Sequence, residues 1–392
     1  MTVPGPGSRI EIDADALHQN LKELRRELGG TPMVMVVKAD AYGHGIDPIV
    51  PLAMDAGQTE FAVFSAHEAW HVQQAAPQAD VQIMGHIGRN WDHVATHRMQ
   101  PWLGDIAEWP AALNAARKAH ADHGHPLRVH LEVETGMHRT GLIPENAMEV
   151  LQAAAHEEAV EVVGLCTHLA GAEDQGNQDR IEQQIQVFED LEQRIRDEGL
   201  AMPVRHIASS SAALVEPAWR KDLVRVGVAS YGMWPTPEVK QRYLARARDP
   251  IRLQRLMTWR STIMALQDVP AGHCVGYGMS ACVTQDTHVA TIPVGYSDGL
   301  SRSLSNAGHV LIHGQRCPII GPVSMNMTQV DVTHLHDPQP GDDVVLIGTQ
   351  GEAEIAVHSF VETQEVVNYE FMARLDEDIP RVVVRPALAP GN

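Results

Sequence analysis

Short apolar runs and longer segments of helical character alternate along roughly the first 235 residues of the chain. The apolar runs are rich in valine, isoleucine and leucine, as expected of parallel strands buried on both faces. The segments between them, such as 111–121 and 179–198, are polar or alanine-rich. Eight strands alternating with helices predict the α/β fold class and an N-terminal (β/α)8 TIM-type barrel. A doubly wound open sheet is the alternative, but no GxGxxG turn follows an early strand. The predicted strands are 33–37, 61–64, 81–84, 100–103, 128–134, 161–167, 204–208 and 223–228.

Beyond Pro235 the alternation stops and strand-like runs follow one another through turns rich in proline, glycine and aspartate. This pattern predicts a mostly β C-terminal domain with one helix near 357–369. The change of pattern gives a division into a barrel domain at 1–240, which includes a short strand at 10–12, and a β domain at 241–392. The predicted strands of the second domain are 251–266, 287–293, 309–313, 323–332 and 343–347.

Composition narrows the possible functions. An apolar content of 44% suffices for a real core, and a formal net charge of −20 argues against nucleic acid or an anionic membrane as a partner. No run of 18 apolar residues occurs, and the N-terminus lacks the apolar core of a signal peptide, so a cytoplasmic protein is expected. The four cysteines and 22 histidines show no metal-binding spacing. We therefore predict reduced thiols and no metal site.

Lys38 is the first candidate for chemistry. It is one of five lysines in the chain, and it alone follows directly on a buried-looking apolar run. A lysine in that position loses hydration, so its pKa falls and its amine becomes a usable nucleophile or base. The simpler alternative is a lysine whose stem lies along apolar surface while its charge reaches water.

Other polar groups follow the later predicted strands. In a barrel, the residues at the carboxyl ends of the strands gather at one mouth, and the loops after strands seven and eight commonly hold a phosphate. Each residue alone has an ordinary structural explanation, such as a helix cap, a turn or a buried histidine, but together they indicate a site. They are Tyr42, Glu132, Arg139, His168, Ser209–Ser211 and Arg225–Gly227.

Several motifs in order along nearly the whole chain closely resemble those of the alanine racemase family. Such a set in this order is specific to that family. The motifs are VVKADAYGHG (36–45), ETGMHRTG (134–141), GLCTHLA (164–170), RVGVASYG (225–232), VGYG (275–278), TIPVGYSDG (291–299) and GPVSMNMTQVDVT (321–333).

The resemblance implies a pyridoxal 5′-phosphate (PLP) enzyme that interconverts L- and D-alanine, supplying D-alanine for peptidoglycan. It also implies a homodimer whose active sites take residues from both chains. Lys38 would bind the cofactor covalently and act as one base, and Tyr277 of the partner subunit would act as the other. His168 and Arg225 would form the supporting network. Arg225 would face the pyridine nitrogen, where related decarboxylases carry a carboxylate.

The remaining roles follow from the same resemblance. Tyr42, Ser210, Gly227 and Val228 would hold the phosphate. Arg139 would contact the phenolic oxygen of the cofactor and the carboxylate of the substrate. Met325 and Tyr296 would complete the substrate pocket.

The sequence departs from the family pattern at three positions. Glu132 stands where many members carry a carbamylated lysine, and we expect its carboxylate to supply the charge without modification. Asn326 replaces a common aspartate, and Glu377 aligns with a tyrosine that contacts the phosphate. These changes leave the substrate range open. A racemase of broader or shifted specificity, for serine or basic amino acids, and a non-catalytic PLP-binding protein remain the alternatives.

Overall fold

The computed structural model describes residues 7–357 and 368–385, and these form two compact units. One unit consists of residues 16–41 and 49–254. The other takes residues 7–15 and 42–48 together with the described residues from 255 onwards. Neither unit is a continuous stretch of the chain.

The unit of residues 16–41 and 49–254 contains an eight-stranded parallel sheet, as the alternating pattern predicts. The first of these strands pairs with both the second and the last. Two backbone hydrogen bonds, Asp222 N to Arg205 O and Arg225 N to Ala208 O, each of 3.0 Å, link the last two strands and the residues beside them. The TIM-type barrel is thereby confirmed. Its strands are Met33–Val36, Glu60–Val63, Asp80–Ile83, Gln100–Leu103, Leu127–Glu132, Val160–Cys166, Val204–His206 and Val224–Val226.

Helices alternate with these strands along the chain, one before the first strand and one after the last. Their inward positions are apolar at helical spacing, as with Leu17, Leu21 and Leu24, which are all buried. Most residues of these strands are buried because both faces of the sheet are covered, which is why the strands read mainly as apolar runs. Val204, at the start of its strand, is an exception and is 46% exposed. The helices are Ala14–Leu28, Ile46–Asp55, Ala66–Ala75, Trp91–Thr96, Trp109–His123, Pro144–Ala154, Gln178–Asp197, Ser210–Val215 and Pro237–Arg246.

The second unit is mostly β, also as predicted. Among its described residues it forms a seven-stranded sheet and a separate three-stranded sheet. The larger sheet contains Ser8–Asp13, Met257–Thr262, His309–Ile312, Gln315–Pro318, Asp343–Gln350, Ala353–Ile355 and Arg381–Val384, and the smaller contains Ala265–Val269, Thr287–Ile292 and Thr328–Asp331.

Two details of this unit differ from the sequence prediction. The run 251–266 is not one strand, because Met257–Thr262 and Ala265–Val269 belong to different sheets. The strand Ser8–Asp13, which the sequence prediction included in the barrel domain, pairs antiparallel with Met257–Thr262 and parallel with Arg381–Val384. The predicted helix at 357–369 falls largely on residues 358–367, outside the described residues, and a helix is present at Asn368–Met372.

The prediction of four reduced thiols is wrong for one pair. Cys274 and Cys282 form a disulfide, whereas Cys166 and Cys317 are free and buried. The two bonded cysteines also form an isolated antiparallel bridge, which brings their Cα atoms to 3.8 Å. No helix among the described residues is long and apolar enough to cross a membrane.

Gly43 gives a test of the packing in this second unit. Its φ is +78°, and a Cβ built on it would overlap the carbonyl oxygen of Met372. We expect Gly43→Ala to lower the free energy of unfolding by about 2–4 kcal/mol, since left-handed strain and steric overlap add. Urea titration of the purified protein measures this loss.

Gly351→Ala is the matched control. Gly351 also has a positive φ, of +63°, but a Cβ there would meet nothing within 4 Å. It should show the cost of the backbone conformation alone. Equal losses in the two variants would contradict the predicted overlap at Gly43.

Candidate active site

Lys38 lies just past the carboxyl end of the strand Met33–Val36, at the start of an unusual turn. Ala39, Asp40, Ala41 and Tyr42 all have φ between 50° and 55°, the left-handed region that non-glycine residues rarely occupy. Each such residue costs about 1–2 kcal/mol. Strain of this kind persists only where the surroundings impose it, and it is commonly found at functional sites.

Glu68 holds the first part of this turn within the barrel unit. Its Oε1 accepts a hydrogen bond of 2.6 Å from the backbone N–H of Ala39, and its Oε2 accepts from Phe64 N and Ser65 N. The side chain of Ser65 caps the backbone N–H of Glu68 in return. Sequence analysis did not identify Glu68, although Ser-x-x-Glu before a helix is a recognisable capping box.

The surroundings of Lys38 lower its pKa. Burial of the partly exposed side chain is the main cause, and the positive charges of Arg139 and Arg225 act in the same direction. The carboxylate of Glu68 opposes them. More of the amine is therefore neutral near pH 7 than for an ordinary lysine. The direction of this pKa shift is the one predicted for the position.

Arg225 lies in the last barrel strand and is 4% exposed. Its terminal nitrogens donate to the carbonyl oxygens of His206 and Thr167 at 2.6 and 2.9 Å, and Nη1 lies 3.0 Å from Nδ1 of His206. The guanidinium also lies 5.1 Å from the ring centroid of Trp102. Within the described part of the chain, its Nε–H has no acceptor. That N–H is the donor left for a ligand.

A hydrogen-bonded chain continues inward from Arg225. Nε2 of His206 lies 2.9 Å from Nδ1 of His130, whose Nε2 lies 3.1 Å from the side-chain oxygen of Gln100. Burial and the charge of Arg225 help to lower the pKa of both histidines, for His130 to about 3. Both rings are therefore neutral at physiological pH, and they orient Arg225 without adding charge. Sequence analysis missed His206 and Trp102, whose only signal was a position on barrel strands.

His168 follows the strand Val160–Cys166, as predicted. Burial lowers its pKa to about 3, with further contributions from Arg225, Arg139 and Lys38. Its backbone carbonyl accepts a hydrogen bond of 3.0 Å from Gln184. His168 is thus a neutral imidazole among positive charges, suited to hydrogen bonding.

Glu132 ends its strand with the carboxyl group buried beside Gly104. A Cβ at Gly104 would come within 2.9 Å of Oε2 of Glu132, so the missing side chain makes room for the carboxyl group. Burial raises the pKa of Glu132, and it outweighs a side-chain hydrogen bond with Thr140 and the charges of Arg139 and Arg225. Arg139 itself is exposed in the single chain.

The predicted phosphate-binding groups of the barrel lie together. Ser210 begins the helix Ser210–Val215, and its Oγ accepts a hydrogen bond of 3.0 Å from the backbone N–H of Gly227. Val228 begins a short 3₁₀ helix, Val228–Tyr231. The first residues of a helix leave their N–H groups without partners inside it, which suits an anion.

Tyr42 belongs to the other unit. Its ring packs edge-on against that of Tyr369, with centroids 6.0 Å apart. Burial raises the pKa of the Tyr42 phenol, and the neighbouring Tyr369 adds to this effect. The phenol therefore stays protonated and can donate a hydrogen bond.

Tyr296, Met325 and Asn326 lie close together in the same unit as Tyr42. The N–H of Tyr296 donates to Ser324 O at 3.0 Å, and the side chain of Asn326 donates to Ser297 Oγ at 2.8 Å. The carbonyl of Met325 accepts from both N and Oγ of Ser297. The backbone oxygen of Met325 is therefore engaged within the unit.

Tyr277 stands on an exposed loop of this unit, with 80% of its surface accessible. The loop is packed at its base, where Gly321 approaches the carbonyl of Val275 and Gly276 approaches Pro322. Glu377, which sequence analysis left outside the site, is also exposed. The exposed apolar side chains of this unit include Tyr277, Met279, Tyr296, Met325 and Met327.

The structure thus gathers Lys38, Arg225, His168 and the Ser210 region at the carboxyl ends of the barrel strands. A cavity of about 690 Å³ opens at the amino-terminal ends, beside Glu60, Asp80 and Arg128, and none of the predicted site residues lines it. Among the described residues, no group of three or more histidine, cysteine or acidic side chains could hold a metal ion.

Comparison with known proteins gives two family matches. The family described as "Alanine racemase, N-terminal domain" matches residues 12–235, and the family described as "Alanine racemase, C-terminal domain" matches residues 256–383. Similar curated proteins include the alanine racemases of Halothermothrix orenii, 31% identical, and Symbiobacterium thermophilum, 32% identical, each over 95% of both chains.

Solved structures agree. The alanine racemase of Streptomyces lavendulae is 30% identical, with a TM-score of 0.88 over 98% of this chain and 99% of that one. The alanine racemase of Bartonella henselae, solved with covalently bound pyridoxal phosphate, is 26% identical, with a TM-score of 0.82 over 97% and 100% of the two chains. The chain therefore belongs to the alanine racemase family.

Proposed function

We propose that this protein is a PLP-dependent alanine racemase that interconverts L- and D-alanine. The observation that carries the proposal is the amine of Lys38. It is partly buried at the carboxyl ends of the barrel strands, and burial together with Arg139 and Arg225 lowers its pKa. The two family matches, one for each part of the chain, support the same reaction.

The side chains at the barrel mouth fit PLP. The neutral form of the Lys38 amine suits a covalent link to an aldehyde. The Nε–H of Arg225 suits the pyridine nitrogen, and Ser210 with the backbone at Gly227 and Val228 suits the phosphate. Bound PLP supplies an electron sink that makes the Cα proton of an amino acid acidic.

Racemisation needs a proton removed from one face of Cα and another returned to the opposite face. In our proposal, Lys38 serves one face and Tyr277 of a second copy of the chain serves the other. Tyr277 and Met279, two residues apart on one loop, are 80% and 84% exposed in a single chain. Large exposed apolar side chains that lie together are typical of an interface, and they support a homodimer with shared sites.

The positive residues favour racemisation over competing reactions. Arg225 cannot give up its proton, so it would hold the pyridine nitrogen of bound PLP without protonating it, and the cofactor would then draw less charge away from Cα. Arg139 supplies a cation for the substrate carboxylate, and Glu132 supplies a nearby carboxyl group.

The proposal extends to a cytoplasmic location and to D-alanine supply for peptidoglycan.

The direct test is D-alanine formation from L-alanine by the purified, PLP-loaded protein, followed by a panel of other L-amino acids. We expect alanine to give the highest kcat/KM of the panel. A higher kcat/KM for serine or a basic amino acid would assign a shifted specificity. No racemisation of any amino acid would refute the proposal.

Lys38→Ala should abolish the covalent attachment of the cofactor and lower racemisation by at least about 100-fold, since it removes a base. Borohydride reduction followed by mass spectrometry measures attachment, and chiral chromatography measures turnover. Lys22→Ala is the control, because Lys22 is exposed on the helix Ala14–Leu28. Covalent attachment that survives in Lys38→Ala would assign the cofactor to another residue.

Glu132→Gln should lower kcat/KM about fivefold at pH 8, the equivalent of roughly 1 kcal/mol of charge interaction with Arg139. Because burial raises the pKa of Glu132, its carboxyl group is protonated, and resembles glutamine, at a higher pH than an exposed glutamate. The kcat/KM values of the two proteins should therefore converge as the pH falls. Kinetics from pH 8 down to pH 5 measure the convergence.

The titration of Glu132 should also affect the free energy of unfolding. Here Glu132→Gln is expected to stabilise the protein, whereas it lowers the activity. A carboxyl group whose pKa is raised by folding costs free energy of folding above that pKa, and the cost vanishes below the ordinary value of about 4.3. Glu132→Gln should therefore be at least as resistant to urea as the wild type at pH 8. Glu158→Gln, at an exposed position, is the control for kinetics and stability. A constant activity ratio at every pH would contradict the role given to this charge.

Shared sites predict complementation. Lys38→Ala and Tyr277→Phe protomers, co-expressed in equal amounts, should form mixed dimers with one intact site each. Random pairing then restores about one quarter of wild-type activity. Co-expression of Lys38→Ala with the Lys38→Ala/Tyr277→Phe double variant should restore nothing. Activity no greater than that of the separate variants would argue against a site shared between copies.

A further inference from the structure

Tyr277 lies inside a loop that two cysteines close. Backbone hydrogen bonds of 2.8 Å from Val275 N to Ala281 O and from Val283 N to His273 O form the base of a hairpin. The Cys274–Cys282 disulfide crosses the same base. The seven residues between the two cysteines, 275–281, form the Tyr277 loop.

The geometry points to the Cys274–Cys282 bond as a positioning element for the hydroxyl of Tyr277. This inference rests on the proposed function, in which that hydroxyl is the second base. The disulfide narrows the orientations open to the Tyr277 loop, so that the phenol is held ready for the substrate. Opening the disulfide leaves the loop attached but less ordered, and turnover that depends on Tyr277 falls.

The loop needs such a constraint because its tip has few of its own. Gly276 and Gly278 flank Tyr277 with φ of +74° and +73°, and a Cβ at Gly278 would meet nothing within 4 Å. Tyr277 and Met279 are 80% and 84% exposed. Glycines on both sides give the free loop many conformations, each of which must be excluded when the tyrosine acts.

The anchors of the loop lie at its two ends. Val275 and Val283 are buried in an apolar cluster with Val289. Since alternate residues of extended chain face opposite sides, the cysteines that precede these valines occupy the other face of the hairpin. Beyond them, the side chain of Asn306 donates to Ser280 O at 3.3 Å. The disulfide therefore ties together the two points at which the loop leaves its packed base.

Ordering at the tip matters because proton transfer depends on distance. A general base acts only within hydrogen-bond reach of its proton, and misplacement by about 1 Å can cost 100-fold in rate. An exposed tyrosine between two glycines readily moves by more than about 1 Å. The disulfide restricts this movement of Tyr277 without contacting the substrate.

Cys282 is exposed in the single chain, so a small disulfide or dithiol can reach the bond in a separate protomer. Formation of the bond joins Sγ of Cys274 to Sγ of Cys282 and releases two protons and two electrons. The acceptor is a small disulfide such as oxidised glutathione, which becomes two thiols, and a dithiol reverses the reaction. The remaining thiols are buried, and burial raises the pKa of Cys317 to about 12 and that of Cys166 well above its ordinary value. Only the bonded pair is therefore set up to respond.

The experiment compares the PLP-loaded protein after oxidised glutathione and after dithiothreitol. We expect native thiol titration to find two more reactive thiols after reduction. We expect kcat for alanine to fall about tenfold, as befits a base moved by less than 1 Å. The KM and the cofactor absorbance should not change. Hydrogen–deuterium exchange should become faster within residues 275–281.

Variants separate positioning from general stabilisation. Cys274→Ser/Cys282→Ser should match the reduced protein and ignore dithiothreitol, whereas Cys317→Ala should keep the full response. In Tyr277→Phe, the residual activity should be the same in both redox states, because the group being positioned is gone. A disulfide that only stabilised the fold would lower the residual activity of Tyr277→Phe by the same factor as that of the wild type.

Three results would overturn the inference. They are four free thiols after oxidation, an equal or higher kcat in the reduced protein, and an equal response to reduction in Tyr277→Phe and wild type. A protein that racemises no amino acid in either state refutes the proposed function instead. In that case the exchange rates of residues 275–281 still decide whether the disulfide orders the loop.

Discussion

A buried positive charge governs the barrel site. Arg225 is 4% exposed, and its guanidinium is stabilised by carbonyl oxygens, by His206 and by the face of Trp102. In surroundings of low polarity its field reaches neighbouring groups with little screening. It contributes to lowering the pKa of Lys38, His168, His206 and His130. Burial is the main cause of each of these shifts, and the charge of Arg225 acts in the same direction, so the histidines are neutral and a neutral amine is favoured at Lys38.

The strained turn at Lys38 complements this charge. Burial alone would leave the lysine free to turn towards solvent, since its stem is long and flexible. Left-handed backbone from Ala39 onwards, tied to Glu68, fixes the direction in which the chain leaves the strand. Contacts in the surrounding barrel offset the free energy that this backbone conformation costs. Position and ionisation of the amine therefore have separate structural causes.

Much of the barrel could be predicted because parallel strands covered on both faces leave unbroken apolar runs. The same signal fails where pairing depends on distant segments. The strand Ser8–Asp13 reads locally like any other, and nothing in it reveals partners near residues 257 and 381. The run 251–266 likewise conceals a change of sheet. At the site, the family motifs identified Lys38 and Arg225, whereas His206, Trp102 and the disulfide were found only in the structure.

The pairing of Ser8–Asp13 has a consequence for biosynthesis. This segment leaves the ribosome long before its partners Met257–Thr262 and Arg381–Val384, which both follow the barrel strands along the chain. The barrel strands, by contrast, are complete once residue 226 has emerged. During that interval the early segment carries unpaired backbone donors and acceptors. Its charged residues, Arg9, Glu11 and Asp13, alternate with the apolar ones and keep such an edge from joining other nascent chains.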